Sequence, residues 1–155
     1  MRPGRRLAVD VGKVRIGLAT SDFHGILASP LQNIARQAND ADSVRLMLDA
    51  IRELDITEIY VGLPISLSGR ASASTEDALA IAFELSQQSA IPLRMIDERL
   101  TTVSATAALR DSGRNSKDGR KVIDQIAATM ILEQALAIEK NTGQIPGKGL
   151  DEIDV

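Results

Sequence analysis

The run Leu7-Ala8-Val9-Asp10-Val11 is apolar except for one carboxylate and is closed by Gly12, which reads as a buried strand followed by a turn. A strand of this kind so early in the chain obliges the rest of the core to form around it. Arg15-Ile16-Gly17-Leu18-Ala19-Thr20 carries enough apolar residues to be its hairpin partner. A third extended segment, from about Leu27 to Ile34, contains Pro30 and suits an edge or bulged position better than a central one.

The pattern then changes period. Asn39 and Asp40 offer caps to a helix on which Val44, Met47, Leu48, Ile51 and Leu54 recur at spacings of three and four. Glu58 to Leu63 reads as a strand ending in Gly-Leu-Pro, and residues 65–73 as an exposed loop. Ser74 or Thr75 suits the cap of a second helix that buries Leu79, Phe83 and Leu85. Ile91 to Ile96 is a further strand, with Asp97-Glu98-Arg99 at its carboxyl end. Thr101 or Thr102 starts a helix reaching about Asp111, and residues 112–119 form a hydrophilic loop. A last helix runs from about Arg120 to Lys140, with Val122, Ile123, Ile126, Met130, Ile131, Leu132 and Ala135 on its apolar face.

Three opening strands followed by helix-strand-helix-strand-helix predict an α/β fold with a mixed five-stranded sheet and helices on both faces. The chain's 155 residues fit one domain, over residues 1–140, followed by a flexible acidic tail over 141–155.

Composition narrows the chemistry. With no cysteine and His24 as the only histidine, disulfides, thiolate sites and the usual zinc ligand sets are excluded. His24 sits in Asp22-Phe23-His24-Gly25, a turn, and reads as a surface residue. A bound metal would need oxygen ligands, which favours Mg²⁺ or Mn²⁺. Net charge is −3, yet residues 1–20 and 110–121 are locally basic. Aromatic residues make up 2% of the chain, so no base-stacking platform is expected. No apolar run is long enough for a bilayer and the start does not resemble a signal peptide, so a cytoplasmic protein without membrane contact is expected.

Three acids stand out, each with two readings. Asp10 ends an apolar strand beside Gly12 and Gly17, where the backbone can turn and approach a ligand; it either caps that turn or binds a metal. Glu98 is either half of a surface ion pair or a ligand, with Asp97 orienting the loop and Arg99 steadying a phosphate. Asp124 is either an acid favoured near a helix start or a ligand beside the core-facing stripe of Ala127, Ala128 and Ile131. Strand carboxyl ends gather functional residues in such sheets, and Asp10 and Glu98 both fall there. Taken together, the three acids suit a metal cage for phosphodiester hydrolysis, which needs an activated water and neutralised charge at phosphorus.

Four motifs, in order and spacing, resemble the YqgF family: Asp10-Val11-Gly12 through Arg15-Ile16-Gly17, Val61-Gly62-Leu63-Pro64 with Gly69, Asp97-Glu98-Arg99-Leu100-Thr101-Thr102, and Asp124-Gln125-Ile126-Ala127-Ala128. That family comprises pre-16S rRNA nucleases, also described as Holliday-junction resolvase-like, with an RNase H-like fold. The resemblance spans about residues 5–140 and implies one RNase H-like nuclease domain. It implies a catalytic, metal-binding trio of Asp10, Glu98 and Asp124, with Asp97, Gly12 and Gly17 in support. It further implies a substrate-groove loop shaped by Gly62, Pro64 and Gly69, although Ser72 stands where many relatives carry glycine. Arg15, Arg70, Arg99, Arg114, Lys117 and Arg120 are the expected nucleic-acid contacts.

The implied activity is 5′-end processing of pre-16S rRNA, with ribosomal precursor particles as partners and either a monomer or a homodimer. The alternatives are a resolvase of branched DNA, which needs two opposed sites and hence a dimer, and a non-catalytic RNA-binding assembly factor. An ATPase of the actin and hexokinase type would need a second lobe for which this chain is too short.

Overall fold

The computed structural model describes residues 1–99 and 117–154, and for 117–125 the course of the backbone alone. The helix expected from Thr101 or Thr102 to Asp111, and the loop over 112–116, lie outside the described residues.

Strands β1 (Arg5–Val11) and β2 (Arg15–Ser21) form the expected hairpin, with Asp10 directly opposite Gly17. The third extended segment divides into β3 (Ala28–Pro30) and β4 (Ile34–Ala35), both antiparallel to β2. It is therefore two short strands rather than one, and the sheet gains a sixth. Pro30 lies at the sheet edge, where its missing N–H leaves no ladder bond unmade. Strands β5 (Ile56–Leu63) and β6 (Leu93–Asp97) add in parallel on the other side of β1, giving the order β3-β2-β1-β5-β6 with β4 beside β2.

Two helices cover one face. Helix α1 (Asp40–Ile51) begins at Asn39, whose side chain accepts from the Asp42 N–H, and buries Val44, Met47 and Ile51. Helix α2 (Ala73–Gln88) is capped by Ser72 rather than by Ser74 or Thr75. Thr75 instead occupies the third helical position, where its hydroxyl accepts the Ser72 N–H at 2.9 Å, so Ser72 and Thr75 satisfy each other's backbone donors. The buried stripe is Thr75, Ala78, Ile81, Ala82 and Leu85. Phe83, expected in the core, falls off that stripe and is 58% exposed.

Among the described residues, helix α3 (Lys117–Thr142) covers the other face, packing across β1, β2 and β5. It starts before the expected Arg120, inside the segment expected to be a loop. Ala128, Ile131, Leu132 and Ala135 are buried against Ala8, Ala19, Tyr60 and Ile96, while Ile126, expected inward, faces outward. The small alanines let helix and sheet approach closely.

A buried ionic cluster fixes the carboxyl end of α3. Glu139 accepts from Arg2 at 2.5 Å and from Arg6 at 3.1 Å; Arg6 also donates to the Tyr60 hydroxyl at 2.8 Å, and Arg2 to Glu58 at 2.8 Å. Burial pushes the Glu139 carboxyl up, but the hydrogen bonds from Arg2 and Arg6 outweigh it and hold the group at about 2. Burial and neighbouring Glu58 push the Tyr60 phenol above its ordinary value.

The segment after α3 departs from the flexible tail expected of it. Lys148 exchanges both backbone hydrogen bonds with Met95, at 2.7 and 3.0 Å, along the outer edge of β6. Arg94 donates to the Pro146 and Gly147 carbonyls, and Leu150 and Ile153 pack on the core. Gly147 has φ +75°, and a Cβ there would lie within 2.8 Å of Ile96 Cδ1. The acids and glycines that suggested disorder thus serve a close approach to an edge strand whose N–H and C=O groups need partners.

Candidate active site

Alternation along the strands decides which residues share the α3 face. On β1 these are Arg6, Ala8 and Asp10; on β5 they are Glu58, Tyr60 and Gly62; at β6 they are Ile96 and then Glu98. Asp10 and Glu98 thus emerge at the carboxyl ends of β1 and β6 on one face, separated by β5. Both are buried, at 4% and 3% exposed.

Gly62 closes the gap between them. A Cβ at Gly62 would fall inside contact distance of Glu98 Oε1, 3.1 Å from Glu98 Cδ and 2.6 Å from Ile131 Cδ1. The Glu98 carboxylate therefore lies over the β5 backbone, toward Asp10, in space that only a glycine leaves open. Its backbone is held there by the Glu98 N–H donating to the Leu63 carbonyl at 3.2 Å. On the other flank of Asp10, its cross-strand partner Gly17 adds no side chain. Asp10 is thus bracketed by two glycines on the covered face of the sheet.

This reassigns the glycines. Gly17 and Gly62 lie inside β2 and β5 rather than in a turn or a substrate loop, and neither has positive φ. Their role is room above the sheet. Gly12 does sit in the turn, where its N–H donates to the Arg15 carbonyl at 3.0 Å. The Gly12 carbonyl accepts from Arg36 at 3.1 Å, and Arg36 also pairs with Asp77 at 2.5 Å and Asp40 at 2.9 Å. Arg36 thereby ties the turn after Asp10 to both helices of the opposite face, a role no motif in the sequence announced.

Asp97 does not join the carboxylate pair. Its oxygens accept from Arg99 Nε at 2.8 Å, Arg99 Nη2 at 2.6 Å and the Arg99 N–H at 2.8 Å. Burial raises the Asp97 carboxyl, but these bonds and nearby Lys148 bring it below the ordinary range. Arg99 is held by this pairing with its Nη1 toward Gly69, 3.3 Å from where a Cβ would be. Gly69, at φ +84°, closes a turn in which its N–H donates to the Ser66 carbonyl at 2.8 Å.

Asp124 lies on α3 two turns before Ile131, about 10 Å along the axis toward the strand carboxyl ends. Its side chain, like those of Lys117 and Arg120, lies outside the described residues, as does Arg114 entirely. Among the described residues no three acids or histidines cluster as a metal site. Of the other expected contacts, Arg15 is half-buried at the start of β2 and Arg70 is exposed beside the Ser66 turn. His24 occupies the expected turn, in which Asp22 accepts from the Ile26 and Leu27 N–H groups at 2.8 Å.

A family model described as "RuvX: Holliday junction resolvase" matches residues 4–138. A protein of Clavibacter sepedonicus is 53% identical over 147 residues, covering 95% of this chain and 91% of that relative. One of Streptomyces avermitilis is 46% identical over 154 residues, covering 99% and 98%. Both bear the provisional name pre-16S rRNA nuclease. Among solved structures, T. thermophilus RuvC in complex with a Holliday junction substrate aligns with a TM-score of 0.54 at 12% identity, covering 90% of this chain and 97% of that one, a likeness of fold.

Proposed function

Because the chain belongs to the RuvX family, we propose that it is a nuclease hydrolysing phosphodiester bonds with Mg²⁺ or Mn²⁺ held by Asp10, Glu98 and Asp124. The observation that carries this reading is the gathering of two buried carboxylates from separate strand ends over the floor left by Gly62. Hard oxygen donors of this kind fit a hard divalent cation, and the cradle would be filled by any side chain larger than glycine at position 62. When bound, such a cation lowers the pKa of a coordinated water and offsets charge developing on the phosphate oxygens.

The chain's own groups supply position and charge. Asp10 and Glu98 orient the hydrolytic water and keep their geometry because strand pairing fixes both backbones. Arg99, braced by Asp97, offers a guanidinium edge to a substrate phosphate without a further ordering step. Arg15, Arg70, Arg114, Lys117 and Arg120 are the further cations proposed to contact the substrate's phosphates.

The relatives' names favour pre-16S rRNA as the substrate, and we propose that it is cut in 5′-end processing, on ribosomal precursor particles in the cytoplasm. A second reading, cleavage of branched DNA, is favoured by the family's description. The test is cleavage of a pre-16S rRNA precursor and of a four-way DNA junction, with Mg²⁺, Mn²⁺ or chelator. Asp10→Asn, Glu98→Gln and Asp124→Asn should each abolish cleavage while remaining folded by circular dichroism. Full activity in any one variant removes that residue from the site, and equal activity in chelator removes the metal.

A further inference from the structure

The segment laid along β6 borders a half-open cavity of about 500 Å³ between itself, the ends of β5 and β6, and α3. That volume lies within the range of about 300–1,000 Å³ typical of small-molecule sites. The cavity lies at the carboxyl ends of β5 and β6, the same end of the sheet as the carboxylate pair, with Leu63 and Asp97 on its wall. Its apolar lining includes Ile65, Ile96, Ile138 and Ile153. Its charged groups are Arg99 and Lys148, with Asp97 and Asp154 beside them. Among the described residues Arg99 is engaged by Asp97 through Nε and Nη2, and Lys148 lies close enough to Asp97 to lower its pKa.

This combination selects among ligands. Inorganic phosphate would satisfy Arg99 and Lys148 and leave the aliphatic walls uncovered. A hydrocarbon chain would cover the walls but take the charged groups out of water while offering them no hydrogen bond. A flat, weakly polar ring joined to a phosphate and carrying hydroxyl or amine donors satisfies all three kinds of surface. We propose that the cavity receives one nucleotide of the substrate strand beside the bond to be cut, with its base between the isoleucines and its phosphate facing Arg99 and Lys148. The C-terminal segment is then part of the substrate site. This rests on the nuclease reading, and it explains how a chain with 2% aromatic residues can seat a base without a stacking platform.

The test uses the full chain with isoleucine δ1-methyl labels, in chelator, titrated with adenosine and uridine 5′-monophosphates or with inorganic phosphate. The nucleotides should shift the methyls of Ile65, Ile96, Ile138 and Ile153 saturably and leave those of Ile16 and Ile51 in place. Lys148→Glu, at an exposed position, should weaken nucleotide binding about tenfold, the loss of one charge-assisted contact, with its other methyl resonances unmoved. Absence of shifts at the four methyls overturns the proposal. So does inorganic phosphate producing the same shifts at the same affinity, or Lys148→Glu leaving the affinity unchanged. Because neither metal nor cleavage is involved, a failure of the nuclease reading would leave the methyl shifts intact, whereas a failure of this proposal alone would leave cleavage intact and the methyls still.

Discussion

Replacing Gly62 by alanine adds one methyl group to the floor between the two carboxylates. The backbone tolerates it, since Gly62 lies in a strand without positive φ. The space does not: the new Cβ would sit 2.6 Å from Ile131 Cδ1 and 3.1 Å from Glu98 Cδ, with Glu98 Oε1 nearer still. Ordinary contact requires about 3.5–4.0 Å, so Ile131 and the Glu98 carboxylate must each retreat by roughly 1 Å. Overpacking of this kind costs about 1–3 kcal/mol of stability. Displacement of a reacting group by about 1 Å can reduce the rate about a hundredfold. The two effects separate in the double variant Gly62→Ala with Ile131→Val, which deletes the Cδ1 methyl but leaves the carboxylate displaced. Urea unfolding should show stability partly restored in the double variant, while single-turnover cleavage and Mn²⁺ affinity remain depressed. Wild-type cleavage and Mn²⁺ affinity in Gly62→Ala would refute the assignment of Gly62 as the floor beneath Glu98.

The ionic cluster predicts a particular acid response. The Glu139 carboxyl is held at about 2 against an ordinary value of 4.5, so its contribution is complete above about pH 4.5 and is lost as pH falls toward 2. Glu139→Gln should reduce stability at pH 7 by about 3–5 kcal/mol, as for a buried pair losing one partner, and by much less at pH 3. An equal loss at both pH values in urea unfolding would contradict the pairing. Asp97→Asn should release Arg99 from its brace and raise KM for the nucleic acid more than it lowers kcat. A purely kcat effect in steady-state kinetics would place Asp97 among the reacting groups instead.

The order of strands and helices was legible because each element announces its period locally. Asp10 and Glu98 were legible as acids at strand ends, since a carboxylate closing an apolar run is unusual whatever its partners. What joins them was not legible. Gly62 resembles any other glycine near a strand end, and only the parallel pairing of β5 between β1 and β6 gives its missing Cβ a meaning. Arg36 likewise owes its role to Asp77 on another helix, a contact between positions far apart in the chain. Phe83 misled because hydrophobicity was weighed above phase: it lies one residue beyond Ala82 on the buried stripe. The C-terminal segment misled for the opposite reason. Its glycines and acids match disordered chains in composition, while its fit to the β6 edge depends on backbone pairing that composition does not encode.

The same dependence on distant pairing accounts for the length of α3. Positions 124, 128, 131, 135 and 139 form one stripe, and its described side chains meet the sheet in order: Ile131 at Gly62, and Glu139 at Arg6 and Arg2. The helix therefore runs from the carboxyl ends of the strands, where Asp10 and Glu98 lie, toward their amino ends. A slip of one turn would move every residue of the stripe by about 5.4 Å. Glu139 would then leave Arg6, which is 1% exposed, as an unpaired charge inside the protein, at a cost of several kcal/mol. Alanines and a single isoleucine alone would tolerate such a slip far better, because hydrophobic contact is not directional. The ionic cluster thus fixes, at one end of the helix, the register of position 124, the third proposed ligand, at the other.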